Sequence, residues 1–182
     1  MTAHPESAPA AIHAAFAPAP APAAPRAATA SLPAVTRTCR FVVPAEPARV
    51  FPLLCPVREY DWIPTWRADI LQSVSGVAEE DCVFRTSGHA GGAMTWVVSR
   101  YEPPARIEFT CFEPGHYVFR LKIALAAVPG GTELTWTRRW LATAPADEAF
   151  AAASAAKDFD ERMAALERLL VHYLRTGTML AP

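Results

Sequence analysis

The sequence predicts an α+β domain in which a seven-stranded antiparallel sheet wraps around a long C-terminal helix, with two short helices after the first strand. Three observations predict it. Residues 147–176 place Phe159, Met163, Leu166, Leu170 and Tyr173 at steps of four, three, four and three, one apolar face of a 3.6-residue helix. Between residues 67 and 141, short apolar runs recur, separated by glycine, proline and serine turn signals. Within these runs apolar and polar residues alternate, which marks a sheet with one dry and one wet face.

The first strand is expected over residues 36–43 and ends at Pro44. Residues 48–54 follow as a short helix with Pro47 in its first turn, kinked or cut short because Pro52 removes an amide from it. Residues 55–66, CPVREYDWIPTW, are too irregular for a strand and too interrupted for a long helix, so a second short helical turn and a loop are expected there. Six further strands are expected over residues 68–74, 82–87, 93–101, 106–112, 116–127 and 132–141. Alternation is clearest in the sixth strand, where Tyr117, Phe119, Leu121, Ile123 and Leu125 share one face and Arg120 and Lys122 the other. Met94, Trp96 and Val98 share a face of the fourth strand, and Leu134, Trp136 and Trp140 a face of the seventh.

Pro145 opens the C-terminal helix and Gly177 closes it, and at about 1.5 Å per residue a continuous helix here would run roughly 45 Å. Its first half, residues 149–156, has only small side chains apart from Phe150 and is expected to lie close to the sheet or leave an opening. The bulky half from Phe159 to Tyr173 is expected to seal the core. Asp158 and Arg162, four residues apart, are expected to form a solvated pair.

Composition sets limits on function. The chain has 182 residues, a formal net charge of -1, 52% hydrophobic and 19% charged residues. That balance gives no general attraction to nucleic acid or anionic membranes, and no basic run supplies one locally. Residues 1–35 are dominated by alanine and proline and read as a disordered tail; residues 36–177 form the domain, and residues 178–182 a C-terminal tail. Cys39, Cys55, Cys82 and Cys111 are widely spaced without a CxxC or Cys/His cluster, so reduced thiols and no metal site are expected. The start of the chain lacks a basic segment followed by a continuous apolar core, and no apolar run reaches membrane-spanning length. A cytoplasmic protein without a membrane span or cofactor is expected, as a monomer or homodimer.

The stretch VFPLLCPVREYDWIPTW (residues 50–66), with Ser75-Gly76-Val77 and Cys82-Val83-Phe84 after it, together with this order of elements, resembles the START/Bet v 1-like (SRPBCC) superfamily. That superfamily includes polyketide cyclase and dehydratase-like proteins and Aha1-type domains. The resemblance covers about residues 36–176 and implies the helix-grip fold, with a cavity between sheet and helix. It supplies no catalytic motif that transfers residue by residue.

On that expectation Trp96, Tyr117, Phe119, Trp136, Met163, Leu166 and Leu170 line the cavity, with Tyr60, Trp62 and Trp66 at its entrance. Arg138 shares a face with Trp136 and Trp140, where a charge must be paired or wet. It would hold a ligand carboxylate or enolate, pair with Glu167, or reach solvent at the sheet edge. Arg85, Glu108, His89 and His116 are weaker polar candidates. The glycine-rich residues 88–92 lie between strands rather than before a helix, so a hairpin or pocket lip is expected instead of a nucleotide site. Three readings follow: binding of an apolar, aromatic or lipid-like small molecule, an enzyme of cyclase or dehydratase type, and a protein-interaction module of the Aha1 kind using the convex sheet face.

Overall fold

The computed structural model of the chain describes residues 32–88, 92–113, 117–156 and 158–181. Most of the alanine- and proline-rich tail and both turn histidines, His89 and His116, lie outside the described residues. Seven strands form one antiparallel sheet in the order β1-β7-β6-β5-β4-β3-β2. They are β1 (Ala34–Val43), β2 (Asp69–Gln72), β3 (Val83–Ser87), β4 (Ala93–Glu102), β5 (Arg106–Glu113), β6 (Tyr117–Val128) and β7 (Gly131–Ala142). The C-terminal helix lies against the concave face, the helix-grip arrangement expected from the sequence.

The period-two reading of β6 translates directly into burial: Tyr117, Phe119, Leu121, Ile123 and Leu125 are buried, while Lys122 is exposed. Register carries this face across the sheet, with Phe119 opposite both Cys111 and Trp140, and Ile123 opposite Ile107 and Trp136. A register shift between Val98 and Arg100 interrupts the pairing of β4 with β5, the kind of irregularity that bends a strand. The tight β6–β7 turn brings Gly131 against β1. Its φ is +151°, and any Cβ there would sit 1.9 Å from the Val43 carbonyl oxygen, so only glycine fits.

β2 is shorter than the expected residues 68–74. The Glu79 carboxylate accepts hydrogen bonds from the Ser73 hydroxyl (3.0 Å) and from the Val74 and Ser75 amides, drawing the chain out of the ladder. The helical segment after β1 is brief, as the prolines require: α1 (Pro47–Val50) runs into a 3-10 turn (Phe51–Leu54), and a second turn covers Glu59–Asp61.

The long helix is not continuous. It divides into α2 (Glu148–Ala156) and α3 (Phe159–Thr176), and Asp158 between them takes a left-handed conformation at φ +50°. The alanine-rich half presents only Ala151 and Ala155 as buried anchors, a surface shaped for close approach rather than for extending the apolar stripe of α3. With Asp158 outside α3, the expected Asp158–Arg162 side-chain pair is not made. Instead the Asp158 carbonyl accepts from the Arg162 amide (2.9 Å), and the Arg162 side chain turns to the concave side. Gly177 at φ +70° ends α3 and donates to the Tyr173 carbonyl (2.7 Å). Arg49 donates to the Leu174 carbonyl (2.8 Å), tying α1 to the last turn of α3.

The solid core lies under α1 and along one stripe of α3, where Val43, Val50, Leu54, Ile107, Leu134, Met163 and Leu170 are fully buried. All four cysteines are free thiols, three of them buried. Burial pushes the Cys111 thiol up to about 12, so it stays protonated. No helix among the described residues is long and apolar enough to cross a membrane.

Candidate functional site

Between the concave face and α3 the packing opens into a cavity of about 410 Å³. Every strand from β3 to β7 contributes to its wall, because each alternates in register and sends its inward side chains to the same side. Phe84 comes from β3, Met94 and Trp96 from β4, Phe109 from β5, Tyr117, Phe119 and Leu121 from β6, and Trp136, Arg138 and Trp140 from β7. The irregular segment after β1 adds Pro56, Glu59, Ile63, Thr65 and Trp66, and the helices add Ser154, Arg162, Ala165, Leu166 and Leu169.

The aromatic side chains are ordered by one another. Phe84 stacks on Trp96 with centroids 5.7 Å apart, Trp96 meets Phe119 edge-on at 5.6 Å, and Phe119 tilts against Trp140 at 5.1 Å. Trp140 meets Phe159 of α3 at 6.5 Å, so a chain of rings crosses the sheet and reaches the helix. Arg37 lies over the Phe159 ring at 4.7 Å and pairs with Asp160 at 3.2 Å. Trp96 is locked by an indole hydrogen bond to the Thr86 hydroxyl (2.9 Å), and Trp66 by one to the Pro56 carbonyl (2.7 Å).

Polar groups interrupt this wall in two places. At one, the Tyr117 hydroxyl interacts with Ser154 and with the buried Glu113, and Tyr117 stacks on Phe150 at 5.7 Å. Burial, reinforced by the Glu113 charge, pushes the phenol up to about 12, so it remains a neutral donor. At the other, Glu59, Arg138 and the Trp136 indole come together. Burial raises the Glu59 carboxyl to about 8 against the opposing pull of Arg138, so near neutral pH it holds its proton. Burial and the neighbouring Arg162 charge bring Arg138 down to about 10, where it is still a cation. Trp136 Nε1 and Arg138 Nε are buried without a hydrogen-bond partner among the described residues.

Of the residues expected at the cavity, Trp66, Trp96, Tyr117, Phe119, Trp136, Arg138 and Leu166 stand in its wall. Four others stand elsewhere. Trp62 is fully buried and donates to the Leu53 carbonyl (2.9 Å), bracing the loop from beneath instead of standing at an entrance. Tyr60 is exposed, and its hydroxyl bridges the carbonyl and amide of Ala68, both at 2.8 Å. Met163 and Leu170 belong to the solid core, because they lie on the stripe of α3 that meets closed sheet. Arg138 makes no salt bridge with Glu167. Arg85 faces outward and pairs with Asp69 at 3.4 Å, and Glu108 lies on the convex face.

The sequence reading missed Glu59, Thr65, Ser154 and Arg162. The first two sit in a segment without periodicity, and Ser154 is one small residue among alanines. Arg162 carried a signal: with Ala165, Leu166 and Leu169 it forms its own i, i+3, i+4, i+7 stripe, one residue out of phase with the core stripe.

A sheet gripping a helix across an aromatic cavity defines the START/Bet v 1-like class, and comparison narrows it. The chain belongs to the polyketide cyclase / dehydrase and lipid transport family, which matches it over residues 34–171. No curated protein matches. Among solved structures, a Rhodobacter sphaeroides protein is 22% identical, with a TM-score of 0.57 over 77% of this chain and 92% of its own. The Mesorhizobium loti protein MLL2253 is 20% identical, with a TM-score of 0.58 over 78% of this chain and 98% of its own. Ara h 8.0201 is 14% identical, with a TM-score of 0.59 over 79% of this chain and 99% of its own. At these identities the structural likeness is one of fold.

Proposed function

We propose that the protein binds an apolar, aromatic or lipid-like small molecule in the cavity between the sheet and α3. The observation that carries this reading is the wall itself: rings held in fixed orientations around about 410 Å³ of space, where a solid core would have filled the volume. Affinity comes mainly from burying apolar ligand surface, at about 25 cal/mol per Å². The polar groups at two places on the wall then fix orientation. The family description, with its lipid transport, supports the same reading.

Leu166 points into the cavity from α3, so Leu166→Trp fills it from a rigid element. Native mass spectrometry of the purified full chain is expected to show a co-purified or added apolar mass, N-phenyl-1-naphthylamine serving as the added probe, and Leu166→Trp is expected to lose it. A wild-type chain that takes up no such mass would sink the reading.

A second reading, a cyclase or dehydratase-type enzyme, is favoured by Glu59. A carboxyl raised to about 8 inside an apolar cavity can give a proton to a ligand oxygen and accept one from a neighbouring carbon near neutral pH. Under this reading Glu59→Gln abolishes turnover of a cognate substrate but retains its binding. Unchanged turnover in Glu59→Gln would remove Glu59 from the chemistry.

A further inference from the structure

Five arginines among the described residues stand in ion pairs. Arg37, Arg58, Arg85, Arg100 and Arg120 each stand within 4 Å of a carboxylate. Arg138 and Arg162, which both line the cavity, make no salt bridge among the described residues. Arg138 is only partly exposed. Its guanidinium lies 5.9 Å from the ring centroids of both Trp136 and Phe159, contacts that offer a cation some compensation but no counter-charge. Arg162 reaches the same space from α3 and stays exposed, so it stands at the rim. The two like charges act on each other unfavourably. The one carboxyl in the lining, Glu59, attracts Arg138 but stands in no salt bridge with either arginine. Leaving the Arg138 guanidinium against an aromatic cavity, with the Arg162 charge beside it, costs stability unless an occupant carries the missing charge.

Resting on the binding reading above, the geometry points to a specific class of occupant: an organic anion with an aromatic or otherwise apolar body, its carboxylate or ionised enol or phenol oxygen held between Arg138 and Arg162. Arg138 supplies the planar fork that suits such an oxygen pair, beside the Trp136 indole. Arg162 supplies charge at the rim, where it also favours entry of an anion over a neutral molecule of the same shape. Glu59, while protonated, adds a donor without adding repulsion.

The test uses the full chain and two fluorescent probes with one skeleton. 8-Anilino-1-naphthalenesulfonate carries an anionic group, and N-phenyl-1-naphthylamine is the same body without it. The neutral probe is the more apolar, so burial alone ranks it first. The expected result is the reverse, with the anion bound about ten-fold or more tightly at pH 7. Arg162→Gln, on the exposed side of α3, reduces that preference several-fold, and Arg138→Met together with it removes the preference while the neutral probe still binds. Leu166→Trp abolishes uptake of both.

Equal or tighter binding of the neutral probe overturns the proposal and leaves the binding reading standing. So does a preference that Arg162→Gln leaves unchanged, which decides the matter even where Arg138→Met fails to fold. Anion uptake that survives Leu166→Trp also overturns it, by placing the anion outside the cavity. Failure of both probes to bind overturns the binding reading itself.

Discussion

The two faces of the sheet treat charge in opposite ways. On the convex face Glu108 is buried between Arg120 and Lys122, each 3.5 Å from its carboxylate, and those cations are themselves about half exposed. Each of these three charges has either a partner or water. On the concave face Arg138 has neighbouring rings, a second arginine and a carboxyl, Glu59, that forms no salt bridge with it. The first arrangement needs no ligand to account for it. The second is expensive as it stands, and its location in a cavity rather than in solid core is what gives the expense a use.

The largest test of this contrast is pH. The folded-state Glu59 carboxyl lies at about 8 against an ordinary 4.5, so between those values the folded protein holds a proton that the unfolded chain releases. Stability is therefore expected to fall as pH rises from about 4.5 to about 8 and to level off above, by on the order of a few kcal/mol. Urea denaturation across that range checks it, with Glu59→Gln expected to lack this component. An identical slope in the variant would place the titration elsewhere.

A smaller effect is expected from Arg138→Met, which removes a cation lacking a counter-charge but keeps its bulk. The empty protein should become more stable by about 1–2 kcal/mol, since the weak ring contacts recover less than desolvation costs. A loss of stability would mean that Arg138 is a structural group like Arg120. The smallest effect belongs to the convex face: Glu108→Gln leaves two cations that water already reaches, and should cost no more than about 1 kcal/mol. A greater loss would show that its ion pairs are structural anchors and would narrow the difference between the faces.

Much of this arrangement was legible in the sequence, and the rest was not for physical reasons. Strand alternation is local, so the inward face of β6 could be read from Tyr117, Phe119 and Leu121 without knowing the neighbours. Arg138 was visible as a charge in phase with Trp136 and Trp140. The separation of cavity from core on α3 was not visible, since Met163 and Leu166 belong to one apolar arc and only the closure of the sheet decides which meets a void. The break at Asp158 was hidden because helical periodicity continues in phase across it. Glu59 was hidden because its environment is built by β7, remote in sequence, and a charged residue in an irregular turn reads as surface.

The ring-lined wall has a consequence for observing the protein. Trp66, Trp96, Trp136 and Trp140, four of its five tryptophans, border the same space, and the fifth, Trp62, is sealed and hydrogen-bonded to the backbone. Its intrinsic ultraviolet emission thus originates chiefly from indoles at the cavity wall. Arrival or departure of an occupant changes the polarity around most of its emitters at once, and the chain reports its own occupancy without a label.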